Sequence, residues 1–183
     1  MILKVARIGH PVLRARAKEV PPGEIRSAAF QRLLDDMVET MHEYDGVGLA
    51  GPQVHVGVRV AVLEVPASDD RARAPVPLMA VVNPRLTPLD DEKVRGWEGC
   101  LSVPDLRGIV PRHRGVRLQA LDREGQPIDL QAQGFFARVL QHECDHLDGG
   151  VYLDRMEEMR SLSFLREFTR FHAPRDGDEA DDD

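Results

Sequence analysis

The run His-Glu-Cys-Asp-His at residues 142–146 is the strongest constraint that this sequence places on its fold. It lies within a stretch of helical character, residues 135–148, that glycines bound on both sides. Residues four apart lie on the same face of an α-helix, one turn from each other, so both imidazoles can reach one cation. Glu143 is then close enough to contact a water on that cation without being a ligand. The motif predicts a metal-binding helix; two histidines at the polar boundary of an ordinary helix are the alternative.

A catalytic metal site needs three protein ligands and one open position, so a third ligand has to be found. Downstream of the motif, the candidates are Glu157, Glu158 and His172, which lie on the last predicted helix. Upstream, Cys100 follows Glu-Gly and precedes Leu-Ser-Val-Pro, in a segment typical of a strand that turns into a loop. A thiolate in this context is a plausible ligand, and a small buried core cysteine is the alternative.

The second cysteine, Cys144, lies between the two histidines of the motif. It is about 200° around the helix from each of them, so it is predicted to point away from the metal and into the core. This orientation matters because two cysteines and two histidines would form a closed structural zinc site, whereas three ligands leave room for water. Without a secretion signal, both cysteines are expected to be reduced or metal-bound.

Composition places the chain among ordinary globular proteins and excludes several function classes. The 183 residues suit one domain, and six acidic residues in the last eight account for most of the net charge of −7. We therefore predict a domain at residues 1–172 and a disordered, acidic tail at 173–183. A nearly neutral domain argues against a broad surface for nucleic acid, and the lack of a long apolar stretch argues against a membrane span or a secretion signal.

Hydrophobic patterning predicts an α+β domain in which strands gather before a central helix. An amphipathic helix is expected at residues 27–43, with Ser27 as its N-cap, and a last helix at 156–171 ends before Pro174. A polar loop is expected between residues 68 and 77. Short strands are predicted at 58–65, 78–82, 116–121 and 128–132, with the last two joined as a hairpin by Asp122–Gly125.

Three segments together resemble the motifs of the peptide deformylases in order and spacing. They are Gly-Val-Gly-Leu-Ala-Gly-Pro-Gln at residues 46–53, Glu-Gly-Cys-Leu-Ser at 98–102 and Gln-His-Glu-Cys-Asp-His at 141–146. The segments at residues 8–14 and 136–140 also resemble that family. The resemblance implies a single compact domain with antiparallel strands around the metal-binding helix. It also implies removal of the N-formyl group from the formyl-methionine of nascent polypeptides, with release of formate.

The resemblance further implies roles for individual residues. The metal ligands it implies are Cys100, His142 and His146. It makes Glu143 the general base, and it assigns oxyanion binding to the side chain of Gln53 and the backbone N–H of Leu101. One thiolate and two imidazoles suit Fe(II), Zn, Co or Ni, and the resemblance points to Fe(II) as the physiological ion.

The same resemblance implies a binding mode for the substrate, an N-formyl-methionyl peptide. The peptide is expected to lie as an added strand against Val47 and Gly48 on one side and Gly99 on the other, with Arg107 contacting its backbone. Candidates for the apolar slot that takes the methionine side chain are Val47, Phe135 and Val139. Arg138 departs from many bacterial members, which are apolar at that position, and this puts the wall of the pocket in doubt.

Formyl-methionine initiation implies a bacterium or an organelle, and the missing transit signal favours the bacterial cytoplasm. Transient proximity to the ribosome is compatible with this function, but an acidic tail would be repelled by RNA phosphates, which argues against docking through the C-terminus. No membrane or specific nucleic-acid partner is expected. Two rival functions remain open: an endoprotease whose third ligand lies downstream, and a binder of formyl peptides that has no turnover.

Overall fold

A computed structural model describes residues 1–67 and 74–173, and in them the chain forms four α-helices and eight β-strands. The helices are α1 (Pro22–Ile25), α2 (Ala28–Glu43), α3 (Gly134–Leu147) and α4 (Leu165–Phe171). The strands are β1 (Gly48–Ala50), β2 (Val60–Val65), β3 (Val76–Pro88), β4 (Lys93–Cys100), β5 (Val103–His113), β6 (Gly115–Leu121), β7 (Pro127–Gln133) and β8 (Ser163–Phe164). In these ranges, the helices are too short or too polar to cross a membrane.

The strands form two antiparallel sheets that hold helix α3 between them. The larger sheet has the order β1-β2-β3-β6-β7, and the smaller has the order β4-β5-β8. Helix α3 contacts β1, β2, β3, β6 and β7 of the larger sheet as well as β5 of the smaller one. The prediction of an α+β domain, with antiparallel strands around the helix that carries the His-Glu-Cys-Asp-His run, is confirmed.

Strand β2 explains how one sheet supports helices on both faces. Ala61 and Leu63 pack in one cluster with the apolar residues of α3, while Val60 and Val62 pack with those of α2 on the opposite face. Side chains alternate between the two faces of a strand, so a strand covered on both sides needs a continuous apolar run. The Val-Ala-Val-Leu sequence supplies that run, and all four residues are fully buried.

Most predicted elements are present, with small differences at their ends. Helix α2 begins one residue after Ser27, whose Oγ accepts a hydrogen bond of 3.2 Å from the backbone N–H of Phe30. Strands β6 and β7 pair as the expected hairpin. Strand β3 extends beyond the predicted 78–82 because it continues through an irregularity at Asn83, whose φ of 53° is in the left-handed region.

The helix predicted at residues 156–171 is wrong over its first half. Residues Met159–Ser161 form a 3-10 turn, and β8 follows as a short strand before α4 begins at Leu165. This segment bonds to β5 beyond its single 3-10 turn: Ser163 and Phe164 pair with β5, and the side-chain Oγ of Ser161 accepts a bond of 3.0 Å from Ile109 N–H. Tertiary pairing therefore overrides the helical pattern. Residues 174–183, which comprise the predicted tail except Ala173, and residues 68–73 of the predicted loop lie outside the described residues.

Candidate metal centre

Two separate elements bring the predicted ligands together. Helix α3 presents His142 and His146 one turn apart, and β4 ends at Cys100, as the prediction of a strand that turns into a loop requires. One ligand atom from each of these three residues lies within 4.8 Å of the other two, and Cys100 Sγ is 3.2 Å from His146 Nε2. The sequence motif and the distant cysteine therefore converge on one point.

The chemistry of this donor set fits a divalent transition metal. Burial opposes ionisation of Cys100, but the neighbouring His146 and His142 lower the pKa of its thiol well below the ordinary value. The group thus offers a thiolate and two imidazoles, a set that suits Zn, Fe(II), Co and Ni. Three protein donors also leave a coordination position for a water or a substrate atom, as catalytic sites require.

The other residues weighed as ligands are elsewhere. Among the described residues, the cluster with metal-binding geometry consists of Cys100 and the two histidines, and it does not include Cys144. Burial raises the pKa of Cys144 to about 12, so this thiol stays neutral. Of the downstream candidates, Glu158 forms an ion pair of 3.3 Å with Arg95, and the ring of His172 lies 5.2 Å from that of Trp97.

Glu143 lies beside this cluster, on the same helix. It is 4% exposed, and its Oε2 is buried without a hydrogen-bond partner among the described residues. Burial raises the pKa of its carboxyl group to about 7. The carboxylate packs so closely against Gly48 of β1 that a Cβ atom there would lie 2.2 Å from Oε1. Gly48 is therefore needed at this position for Glu143 to keep its place.

Gln53 is held by hydrogen bonds at both ends of its amide. Its Oε1 accepts a bond of 2.8 Å from the backbone N–H of Ala50, and its Nε2 donates to Cys100 Sγ at 3.5 Å and Ser102 Oγ at 3.3 Å. The residue is 2% exposed and lies in a 3-10 turn after β1. The amide N–H groups are thus directed towards the cysteine of the cluster.

A cleft of about 1340 Å³ runs past these groups. The residues proposed for substrate contacts line it: Val47, Gly48, Gly99, Leu101, Arg107, Phe135 and Val139. The guanidinium of Arg107 covers Gly99, where a Cβ atom would lie 2.3 Å from Nη1. The predicted substrate residues, which are spread over nearly 100 positions of sequence, therefore share one surface with the Cys-His-His cluster.

Both strands that border the cleft lie at the edge of a sheet. Within residues 1–67 and 74–173, β1, which contains Gly48, pairs with β2 alone, and β4, which contains Gly99, pairs with β5 alone. An edge strand leaves one row of backbone N–H and C=O groups available for another strand. An extended peptide can add to such an edge, with small residues allowing its backbone to approach closely.

A buried cluster of charged residues, which the sequence did not predict, surrounds Glu98. Its Oε2 lies 2.9 Å from His142 Nδ1, and the guanidinium of Arg112 bonds to both carboxylate oxygens at 2.9 and 3.0 Å. Arg112 also bonds to Asp145 of α3. Burial disfavours the charge on Glu98, but the bonds from His142 and Arg112 lower the pKa of this carboxyl group well below its ordinary value. A carboxylate on the second nitrogen of a metal-binding histidine fixes the orientation of the ring.

Glu98 carried one usable signal in the sequence, which is its position two residues before the candidate cysteine. For Arg112 the sequence offered no such signal, because its neighbours in the sequence do not distinguish it from a solvent-exposed arginine. Arg138, which had put the pocket wall in doubt, does line the cleft, but its guanidinium turns away from solvent and bonds to Glu98 Oε1 at 2.8 Å.

Comparison with known proteins gives a consistent result. The family model for polypeptide deformylase matches residues 2–161. Peptide deformylase 2 of Pseudomonas putida is 42% identical over 165 residues, which cover 90% of this chain and 93% of that protein. Peptide deformylase 1 of Streptomyces coelicolor is 47% identical over 167 residues, covering 88% of this chain and 76% of that one.

Solved structures agree with the sequence comparison. A class I type b peptide deformylase from Acinetobacter baumannii, crystallised with Met-Ala-Ser, superposes with a TM-score of 0.79 at 36% identity and covers 85% of this chain and 99% of that one. The enzyme from Thermotoga maritima superposes with a TM-score of 0.75 at 34% identity, covering 86% and 99%. With the fold, the Cys-His-His cluster and these relatives in agreement, the chain belongs to the polypeptide deformylase family, metalloenzymes that remove the formyl group from nascent peptides.

Proposed function

We propose that Cys100, His142 and His146 hold one divalent metal ion, Fe(II) in the cell, and that Glu143 is the general base for deformylation of N-formyl-methionyl peptides. The observation that carries the proposal is the convergence of the three donors beside a buried carboxylate whose Oε2 has no hydrogen-bond partner in the part of the chain that the structure describes. A thiolate with two imidazoles accepts Zn, Ni or Co as well, so these ions are expected to replace iron in purified protein. Oxidation of iron or of Cys100 would destroy the site, which makes the iron form sensitive to oxygen.

The metal, when bound, supplies Lewis acidity that polarises the formyl carbonyl and makes water a stronger acid. Glu143 accepts a proton from the water that attacks the formyl carbon. As the bond between this carbon and the peptide nitrogen breaks, the same carboxyl group delivers the proton to the leaving amine, and formate is released. The position of Glu143 against Gly48 supports this role because it holds the carboxylate in one place beside the donor cluster.

Negative charge that collects on the formyl oxygen needs hydrogen-bond donors that are already in position. The amide of Gln53 supplies one, since its Oε1 is anchored to Ala50 N–H and its Nε2 is thereby directed towards Cys100. We assign the second donor to the backbone N–H of Leu101, which directly follows the cysteine and lines the cleft. Loss of one such donor typically lowers the rate by about 10²- to 10³-fold.

The peptide substrate is proposed to lie in the cleft between the two edge strands. Its backbone would pair with Val47 and Gly48 at β1 and with Gly99 at β4, and Arg107 would contact it next to Gly99. The methionine side chain would then enter the slot lined by Val47, Phe135 and Val139. Met-Ala-Ser bound to the related enzyme from Acinetobacter baumannii has the sequence of a deformylated product, which supports this class of substrate.

We assign catalysis to a domain at residues 1–172 and regard the acidic segment at 173–183 as a tail that takes no part in it. Proximity to the ribosome would be transient, because six acidic residues in the last eight would be repelled by RNA phosphates. Bacterial relatives support a location in the bacterial cytoplasm over the organellar location named for a relative from Arabidopsis thaliana.

The proposal is tested by formate release from formyl-Met-Ala-Ser with anaerobically purified protein loaded with Fe(II). Wild type is expected to release formate and leave the peptide bonds intact. Glu143→Gln, which keeps the size of the side chain but cannot accept the proton, is expected to lose at least about 10²-fold in kcat. Gly48→Ala is expected to lose activity as well, because its Cβ displaces the carboxylate.

Other outcomes would point to the rival functions. An endoprotease would be indicated by two results together: the wild-type protein cleaves peptide bonds, and Cys100→Ala binds the metal as well as wild type does. A fully loaded wild-type protein that binds formyl-Met-Ala-Ser without releasing formate would be a binder, and the assignment of Glu143 as the base would then be wrong.

A further inference from the structure

We infer that Arg138 is a positioning residue for the metal centre and that Gly96 is its required counterpart on the facing strand. The inference rests on the proposed function, in that Cys100, His142 and His146 are taken to hold the metal. It concerns how α3 and β4, which are distant in sequence, are held at the separation that lets their side chains bind the same metal ion.

The ligands belong to two elements that need an external connection. His142 and His146 lie on α3, whereas Cys100 is the last residue of β4, an edge strand of the smaller sheet. A shift of β4 relative to α3 would separate the thiol from the imidazoles without breaking either element. Any group that joins β4 to the turn of α3 just before His142 therefore controls the geometry of the site.

Arg138 makes that connection. It lies one helical turn before His142, and its guanidinium bonds to the carbonyl oxygens of Val94 in β4 at 2.7 Å and of Val110 in β5 at 2.8 Å. The same guanidinium bonds to Glu98 Oε1 at 2.8 Å, and the other oxygen of this carboxylate lies 2.9 Å from His142 Nδ1. The side chain is 12% exposed, and its bonds to Glu98 and Val110 are partly shielded from water, whereas the bond to Val94 is exposed.

The arrangement depends on the planar shape of the guanidinium. The guanidinium has several N–H donors in one plane and can bond to a carboxylate and to two strand carbonyls at once, whereas a lysine ammonium has its donors on a single nitrogen. Arg112 already neutralises Glu98 with two bonds of its own. Charge compensation therefore does not require Arg138. What it adds to the side-chain contacts Glu98–His142 and Arg112–Asp145 is a pair of bonds from α3 to the backbone carbonyls of β4 and β5.

Gly96 makes room for this bridge. A Cβ atom on Gly96 would lie 2.9 Å from Nη2 and 3.0 Å from Cζ of Arg138, closer than side chains approach one another. The guanidinium thus packs against the backbone of β4 in the space that the missing side chain of Gly96 leaves. Gly96→Ala would displace Arg138 without removing a charge and without altering any ligand, Glu98 or Glu143.

The test is a measurement of zinc affinity by competition with a chromogenic chelator, carried out on the full chain. Arg138→Leu and Gly96→Ala are each expected to weaken zinc binding about tenfold, at the lower end of the effects seen for groups that support metal ligands. Arg138→Lys should fall between wild type and Arg138→Leu. Arg117→Leu, the same substitution in an exposed arginine of β6, serves as the matched control and should bind zinc as wild type does.

The double variant decides whether the two residues act together. If Gly96→Ala works by displacing Arg138, it should cause no further loss in the Arg138→Leu background, because the group that it displaces is already gone. The absorption spectrum of the Co(II)-loaded protein gives a second readout. Both single variants should alter its visible bands in the same way, which a general loss of stability would not do. Gly96→Ala also keeps the test available if Arg138→Leu folds poorly.

Failure of the inference and failure of the proposed function give different results. Zinc affinity and Co(II) spectra equal to wild type in both single variants would overturn the positioning role, as would additive losses in the double variant. Cys100→Ser identifies the other case, since a variant that still binds zinc like wild type would mean that the metal site itself is wrongly assigned.

Discussion

The buried cluster around Glu98 and the exposed pair on the β6–β7 hairpin use the same chemistry in two surroundings. In both, an arginine bonds through two nitrogens to one carboxylate: Arg112 to Glu98, and Arg117 to Asp129. The side chains of the first pair are 5% and 4% exposed, and those of the second are 50% and 48% exposed. A similar contact geometry therefore has very different consequences, because water screens the second pair and cannot reach the first.

The partners of the two pairs differ as well. Glu98 also contacts Arg138 and His142, so its loss would leave several buried polar groups without their acceptor. In the described ranges, the carboxylate of Asp129 accepts one further bond, a weak one of 3.4 Å from Gln119 Nε2. The comparison predicts that substitutions rank by burial and by shared partners, and not by the number or length of the hydrogen bonds that are lost.

Glu98→Ala should have the largest effect. Removal of this buried carboxylate takes the carboxylate partner from Arg138 and one of the two from Arg112, which keeps Asp145. It is expected to lower the free energy of unfolding by about 3–5 kcal/mol. Urea denaturation with EDTA present measures this loss without a contribution from metal binding. A loss below about 1 kcal/mol would mean that Glu98 behaves like a surface carboxylate, and the comparison would then fail.

Arg155→Ala should have an intermediate effect, because it removes an ion pair between one exposed and one largely buried side chain. It bonds to Asp145 at 2.7 Å, but its side chain is 56% exposed while that of Asp145 is 11% exposed. Arg112 remains as a partner for Asp145, so we expect a loss of about 1 kcal/mol in the same urea titration. A loss as large as that of Glu98→Ala would show that the number of shared partners outweighs exposure.

Arg117→Ala should have the smallest effect. Both side chains of the pair are half exposed, and the interaction is expected to weaken further as salt screens it. The midpoint of thermal unfolding and the rate of formate release should both equal those of wild type within error. A clear fall in the midpoint at 0.5 M NaCl would contradict the assignment of this pair to the screened class.

The two halves of the metal centre differ in how far they could be predicted. The half on α3 was predicted in type and direction and to within one residue at each end. An i, i+4 spacing, flanking glycines and the position of Cys144 away from the two histidines are properties of one helix. The half on β4 depended on the resemblance to a known family. Considered by itself, Cys100 could have been a core residue, because nothing local states which distant element will lie against it.

The same limit explains the error in the C-terminal segment. Residues 156–171 have a helical pattern, but pairing with β5 turns their first half into a 3-10 turn and a short strand. Local propensity is weak compared with backbone bonds to an available strand edge. Strand β5 was not predicted, and β4 was expected only as the strand that ends at Cys100. Their pairing could not be predicted either, because it is a relation between two segments and not a property of either one.

The sequence by itself determined the metal-binding helix, the amphipathic helix α2 and the β6–β7 hairpin, because each depends on spacing, caps and turns within about 20 residues. Only the tertiary structure decided that Glu98 orients His142, that Arg112 and Arg138 share this carboxylate, and that Gly48 and Gly96 leave space for Glu143 and Arg138. These contacts join residues that are 14 to 95 positions apart. The physical reason is that buried charged residues contact their partners only once the chain is folded. Because these partners are distant in sequence, no local sequence pattern predicts the contacts.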